Sequence, residues 1–373
     1  MRKNIYKLVD LYRHNKILAV FSVLFLILVV LNPGYAAHIP QYVDWDTIVL
    51  LAGMLVITET FKASGFFSLI ASVFVTRIRT ERTLALFLIM VTALLSMFLT
   101  NDITLFIIVP FTLAIRQIIA NDTVKLVIFE AMAVNAGSML SPVGNPQNMF
   151  LWNLSSIGFF DFVEMMLLPF LISLSVLMIF AFFVFSGKNI VVNKSLEAYR
   201  TFDLKLFATA LLLITVFLLT NEYGIHFTGL LIVLVTMFLF YPFVLKISDW
   251  TIIVLIIIMF IDFKLLGDID SVRKYASSLF NGKASTYWSS LMLSQVVSNV
   301  PAAIFASGFS SFTKYIAYGV NVGGNGIVIG SLANIIALRL EGSREVWGVF
   351  HKYSIPYLLI VSVLVWFSVF VMW

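Results

Sequence analysis

The chain has 373 residues, 61% of them hydrophobic and 12% charged, with a mean hydropathy of +1.02. A soluble domain is about half apolar and about a quarter charged, so this composition excludes a soluble enzyme, a nucleic-acid binder and a disordered scaffold, and leaves a polytopic membrane protein. The net charge of +5 then sets orientation in the bilayer rather than marking an anionic partner, and the lack of cysteine excludes disulfides, thiolate metal sites and cysteine catalysis.

Met1 to Lys16 carries Arg2, Lys3, Lys7, Arg13 and Lys16 ahead of an apolar run to Leu31. No small-residue cleavage site follows closely, and Asn32-Pro33-Gly34 ends the run as a turn, so an uncleaved first span is expected. Further spans are predicted at 47–63, 124–155, 163–186, 205–220, 226–245, 249–265, 313–340 and 349–372, with polar interruptions inside 124–155 and 313–340. Residues 83–118 and 284–312 are apolar stretches broken at Thr100-Asn101-Asp102 and Ser298-Asn299. Arms of about 12 to 16 residues suit re-entrant hairpins better than full crossings. With the N-terminus inside and the C-terminus outside, cytoplasmic segments collect 19 of the 24 Lys and Arg, among them Arg77, Arg79, Arg82, Lys194 and Arg200. Only Lys264, Arg273, Lys274, Lys283 and Lys314 fall outside, in keeping with the positive-inside rule for an inner-membrane protein.

The second half repeats the first. Asp44-Trp45 and Met54 match Asp249-Trp250 and Met259, and Phe61-Lys62 with Gly65 match Phe263-Lys264 with Gly267. Asn135 and Asn148 lie thirteen apart with Gly137 and Gly144 between them; Asn321 and Asn334 have the same spacing around Gly323 and Gly330. Pro169 and Ser175 match Pro356 and Ser362. Equivalent spans are an odd number of crossings apart, so the halves face opposite ways. The expected fold is an all-α polytopic membrane protein: an inverted repeat with two re-entrant hairpins and two broken helices. Residues 1–186 form the first repeat, 187–225 a linker and connecting span, and 226–373 the second repeat.

Broken helices at bilayer depth must face protein or water, so the four breaks are the candidate site. The candidate ligands for substrate or ion are Thr100, Asn101, Asp102, Asn135, Ser138, Asn145, Asn148, Ser298, Asn299, Asn321, Asn325, Ser331 and Asn334. Half-helix N-termini offer donors to an oxyanion, and amide, hydroxyl and freed carbonyl oxygens offer acceptors to a cation. The alternative role for Asn101, Ser298 and Asn299 is helix capping, and for Gly137, Gly323 and Gly330 close helix packing. Asp102 is a carboxylate at bilayer depth, suited to carrying a proton, binding a cation or capping the second arm; its repeat counterpart is the apolar Val300. Glu130, among Ala131, Ala133 and Ala136, is a second proton-relay candidate. Glu59 is expected to pair with Lys62, and Asp262 with Lys264, near membrane edges.

No Walker A lysine is present, the glycines at 324–330 have the wrong spacing and context for a dinucleotide loop, and the four histidines show no metal-binding spacing. No cofactor or metal is expected beyond sodium or a proton as coupling ion. An ATP-driven pump would need a partner ATPase.

Asn101-Asp102 followed by Pro110, Asn299-Val300-Pro301, and Asn321-Val322 leading to Ile329-Gly330-Ser331-Leu332-Ala333 resemble the ion transporter superfamily, most closely its arsenite-permease branch. Gly144-Asn145-Pro146-Gln147-Asn148 is similar to citrate-transporter-like permeases, and the resemblance runs from Asp44 onward. It implies a scaffold and a moving transport domain, as a homodimer in the lipid bilayer. Dicarboxylate carriers of this superfamily carry Ser-Asn-Thr at both tips, whereas here the tips read Thr100-Asn101-Asp102 and Ser298-Asn299-Val300. The expected function is secondary transport of a small inorganic oxyacid or anion, arsenite-like, coupled to protons or sodium. Sodium–proton exchange and citrate or dicarboxylate carriage are the alternatives.

Overall fold

A computed structural model describes residues 16–31, 33–66, 69, 79–118, 123–155, 157–190 and 202–371. The basic residues Arg2, Lys3, Lys7, Arg13, Arg77, Lys194 and Arg200, used above to orient the chain, lie outside the described residues. The described residues form seventeen α-helices and two 3-10 turns, with no strand beyond an isolated bridge between Thr80 and Asn189. The described part is therefore all-helical, consistent with a polytopic membrane protein, because a helix satisfies every backbone polar group within its own segment.

The chain divides into two compact units, residues 1–56 with 215–278 and residues 57–214 with 279–373. In the first unit α1 (Lys16–Leu31) packs on α11 (Thr251–Gly267), and the Phe21 and Phe263 rings meet edge to face at 5.9 Å. A 3-10 segment, Pro33–Tyr42, leads into α2 (Trp45–Ala63), where Trp45 Nε1 donates to the Pro40 carbonyl at 2.9 Å. The single span expected at 226–245 is two helices, α9 (His226–Phe240) and α10 (Pro242–Ile247). Proline has no N–H and its ring clashes with the preceding turn, so the helix stops at Tyr241 and restarts with Pro242 in its first position. The short helix α12 (Asp270–Leu279) follows α11.

The expected pairing of Asp262 with Lys264 does not form. Residues two apart on a helix do not share a face. Lys264 is exposed, while the Asp262 carboxylate is fully buried and neither oxygen has a hydrogen-bond partner among the described residues. Glu59 and Lys62, three apart, do meet, at 3.3 Å.

The second unit carries the candidate site. Its helices are α3 (Glu81–Phe98), α4 (Asn101–Ile118), α5 (Val124–Ser138), α6 (Pro146–Ser155), α7 (Phe159–Val184), α13 (Lys283–Val297), α14 (Asn299–Ser307), α15 (Thr313–Val322), α16 (Leu332–Glu341) and α17 (Val346–Phe370), joined by the first part of α8 (Leu204–Glu222). The arms at the first tip are longer than the 12 to 16 residues expected: α3 and α4 have 18 residues each. Thr80 caps α3 ahead of Glu81 and Arg82, which carries the helix beyond the apolar stretch. Of the described helices α3, α7 and α17 are long and apolar enough to cross a membrane.

Small residues let the helices of this unit approach closely. α3 packs on α5, where a side chain at Gly137 would meet the Ala93 carbonyl and the Ser96 hydroxyl. α13 packs on α15, where a side chain at Gly323 would meet Ser294 and the Leu291 carbonyl. α7 and α17 pack together, and the Tyr357 hydroxyl donates to the Ser173 carbonyl at 2.9 Å.

Candidate functional site

Four helix interruptions, at residues 99–100, 139–145, 298 and 323–331, lie in the second unit. Each ends one helix and starts another, so each leaves backbone groups without intrahelical partners. The side chains that take them up are the amides and hydroxyls that the sequence concentrates there.

At the first break Asn148 Nδ2 donates to the carbonyls of Ser138, Met139 and Ser141 at 3.3, 3.0 and 3.0 Å. Asn145 Oδ1 accepts the Asn148 N–H at 2.8 Å and starts α6, while its Nδ2 reaches Ser138 Oγ at 3.1 Å. At the second break Ser331 Oγ accepts from the Ala333 N–H and starts α16, and Asn334 Nδ2 donates to the Gly324 carbonyl at 2.8 Å.

The two breaks are joined by hydrogen bonds of side-chain amides. Asn135 Nδ2 donates to Asn334 Oδ1 at 2.8 Å, to the Gly324 carbonyl at 3.2 Å and to Asn325 Oδ1 at 3.5 Å. Asn321 Nδ2 donates to Asn148 Oδ1 at 2.6 Å, and Asn321 Oδ1 accepts from Asn145 Nδ2 at 3.0 Å. Both Asn135 and Asn321 also donate to the carbonyl four residues earlier, Ala131 and Ala317. The first amide of each broken helix thus bonds the second amide of the other.

The tips sit beside this cluster. The Asn101 N–H donates to the Gly144 carbonyl at 2.8 Å, which ties the first tip to the first break. Asn101 Oδ1 accepts the Asp102 N–H at 2.9 Å, and Asn299 Oδ1 accepts the Val300 N–H at 3.0 Å and faces Ser298 Oγ at 3.4 Å. Ser298 has φ 80° and ψ 156°, a conformation that is nearly glycine-only and is the sole positive φ among described non-glycine residues. A side chain at Gly324 would meet both Asn299 Nδ2 and Asn135 Cγ, so the second tip lies against the amide cluster.

Buried polar atoms without a hydrogen-bond partner among the described residues include Thr100 Oγ1, Asp102 Oδ1, Asn135 Oδ1, Gln147 Oε1 and Asn299 Nδ2. Buried polar atoms in proteins are nearly always paired, so this group of acceptors with an amide donor is equipped to bind a polar solute or ion. The N-termini of α4, α6, α14 and α16 add partial positive charge. Glu130 stands apart from the cluster: it is fully buried and accepts from the Thr112 hydroxyl through Oε1, while Oε2 has no hydrogen-bond partner among the described residues.

Asn135, Ser138, Asn145, Asn148, Asn321, Asn325 and Asn334 are therefore brought into one cluster, with Ser331 at its edge as a cap. Thr100, Asp102 and Glu130 are buried but make no side-chain bond to it among the described residues; Asn299 reaches it only by proximity at Gly324, and Ser298 lies next to Asn299 at the tip. Sequence reasoning missed Gln147, whose Nε2 is 3.5 Å from Asn321 Oδ1, and Gln295, which bonds the 323–327 loop. A carboxamide one turn before a tip, in a helix whose other polar residues past its first residue are serines, a threonine and a tyrosine, is the signal that marks Gln295.

An all-helical protein with a buried amide cluster at paired helix breaks has the make-up of a membrane transport protein. Residues 13–312 match the citrate transporter (CitMHS) family model, and the chain belongs to that family. The chain is similar to the inner membrane protein YbiR of Escherichia coli, 37% identical over 321 residues that cover 86% of each protein. It is also similar to the uncharacterized transporter MJ0456 of Methanocaldococcus jannaschii, 33% identical over 326 residues covering 87% of this chain and 88% of that protein. A shorter stretch of 122 residues, 32% of this chain and 28% of the relative, is 31% identical to the uncharacterized transporter Rv2685 of Mycobacterium tuberculosis. Membership of a transporter family and the likeness to an inner membrane protein assign the chain to a membrane.

Proposed function

We propose that the chain is a secondary active transporter that moves a small inorganic oxyacid or anion, arsenite-like, across the cytoplasmic membrane, coupled to a proton or sodium gradient. The crossed amide bonds, Asn135 to Asn334 and Asn321 to Asn148, carry the reading. Two broken helices that bond each other reciprocally support an inverted repeat with hairpin tips at Asn101 and Asn299, an architecture in which the interruptions hold substrate and coupling ion. Asn299 Nδ2, without a hydrogen-bond partner among the described residues, and the α14 N-terminus serve the oxyacid, and the α4 N-terminus with the Thr100 hydroxyl adds further donors. Asp102 serves the coupling cation, with Glu130 as a second proton carrier. The reading includes a homodimer with the N-terminus inside and the C-terminus outside.

A second reading, citrate or dicarboxylate transport, is favoured by the family that the chain belongs to. The amides, hydroxyls and helix N-termini would have to hold its carboxylates, as helix N-termini are able to do.

A thermal-shift screen of purified protein against arsenite, citrate, succinate, sulfate and sodium, followed by uptake into proteoliposomes, separates the readings. Stabilisation and uptake of arsenite support the first, and of citrate or succinate the second. Sodium-dependent proton flux with no anion present supports sodium–proton exchange in place of both. Asp102→Asn is expected to abolish the pH or sodium dependence of uptake; uptake and its ion dependence both unchanged in that variant would overturn the coupling role.

A further inference from the structure

We infer that Gln295 is a positioning residue of the transport site: its carboxamide holds the 323–327 loop in the shape that presents the Gly324 carbonyl to Asn135 and Asn334. The inference rests on reading the amide cluster as the site of transport.

Gln295 lies in the last turn of α13, four residues before Asn299. Its Nε2 donates to the carbonyls of Gly323 at 2.6 Å and Asn325 at 3.1 Å, and its Oε1 accepts the Ile327 N–H at 2.8 Å. A carboxamide has two N–H donors and one carbonyl oxygen, and here both donors and the oxygen are engaged by backbone that has left the helix. Gly324 stands between the two bonded carbonyls, and its own carbonyl receives Asn135 Nδ2 and Asn334 Nδ2.

The loop is built around this side chain. Gly326 has φ 105°, and a side chain there would collide with Gln295 Oε1 and Leu358; at Gly330 it would lie 3.3 Å from Gln295 Nε2. Other contacts hold the far end of the loop. Ser354 Oγ donates to the Gly326 carbonyl at 2.5 Å, and His351 Nε2 accepts the Val328 N–H at 3.2 Å. Gln295 alone among these three side chains reaches the residues that flank Gly324.

The residue four before the first tip is Met97, which has no such capacity; there the contact is reversed, and the Ser141 hydroxyl donates to the Met97 carbonyl at 2.5 Å. The clamp is thus a feature of the second break. It links α13, and through it the tip at Ser298–Asn299, to the loop that touches the cluster, so tip and loop respond together to an occupant.

The lack of native cysteine permits a direct test. Ile327→Cys, at an exposed loop position, reports loop release by its rate of maleimide labelling, and Leu154→Cys, exposed on α6, reports general loosening. Q295M keeps side-chain length and removes all three bonds. Labelling at 327 is expected to rise several-fold in Q295M with no change at 154, and the apparent KM for whichever of arsenite or citrate the parent protein transports is expected to rise several-fold with Vmax within about twofold. Q295N, a methylene shorter, carries the same test should Q295M not fold. Unchanged labelling at 327, or equal increases at 327 and 154, would overturn the inference. So would an unchanged KM, or a loss confined to Vmax. Absence of arsenite and citrate transport by the parent protein would instead count against the functional reading, and the labelling rates would still decide the role of Gln295.

Discussion

The two helix breaks in the second unit are closed by different means. Between α5 and α6 the closure is internal: Asn148 gathers three carbonyls of its own loop, and Gly144 is bonded to the backbone of the adjoining tip. Between α15 and α16 Asn334 takes the Gly324 carbonyl, and the rest of the loop is held by side chains from other helices, Gln295, His351 and Ser354. The tips differ as well. The first carries the carboxyl of Asp102, and the second has Val300 in that place and a strained Ser298. One break gathers most of its own carbonyls and lies beside a tip with a carboxyl; the other lies beside a tip without one and takes its shape from side chains of other helices. In the proposed function the first interruption serves the ion and the second the solute.

The largest effect is expected where the charge lies. Asp102→Asn should reduce gradient-driven accumulation in proteoliposomes to the downhill level, while Val300→Asp should not restore it. Restoration by the second change would show that the two tips are interchangeable and would break the contrast.

The crossed amides test whether the breaks share their load. Asn135→Leu and Asn321→Leu each strand buried acceptors, at about 1–3 kcal/mol for each group left unsatisfied, so each variant should melt several degrees lower. Comparable losses are expected. A loss confined to one variant would mean that one break alone carries the cluster.

Ser298→Gly should move stability the other way, by about 1 kcal/mol, because glycine adopts this conformation without strain. Thr100→Gly lacks that benefit, since Thr100 does not have a positive φ, and a thermal melt of the two variants compares the tips directly. At the small end, Lys62→Ala removes a partly exposed ion pair with Glu59, which should change stability by less than about 1 kcal/mol and leave transport unaltered.

Much of the site was legible before the fold. In a chain this apolar, asparagine and serine at spans are costly, so Asn135, Asn148, Asn321 and Asn334 stood out by type and by their equal spacing. Their partners did not. Nothing local distinguishes a bond from Asn135 to Asn148, its neighbour on the same broken helix, from the observed bond to Asn334, 199 residues away. Asp262 shows the opposite error: a lysine two residues off suggested an ion pair, and helix geometry points the two side chains apart.

By itself the sequence determined that the protein is helical and belongs in a membrane, where the four interruptions of the candidate site fall, and which asparagines and serines gather there, though it missed the break before Pro242 and the two glutamines. Those features follow from composition and from the cost of exposed polar backbone in hydrocarbon, both of which act locally. Only the tertiary structure decided which amide bonds which carbonyl, that Gln295 threads the second loop, and that Glu130 takes the Thr112 hydroxyl as a partner while Asp262 has none among the described residues. Hydrogen bonds are short-ranged and directional, so their pairing is set by how helices distant in sequence pack against one another.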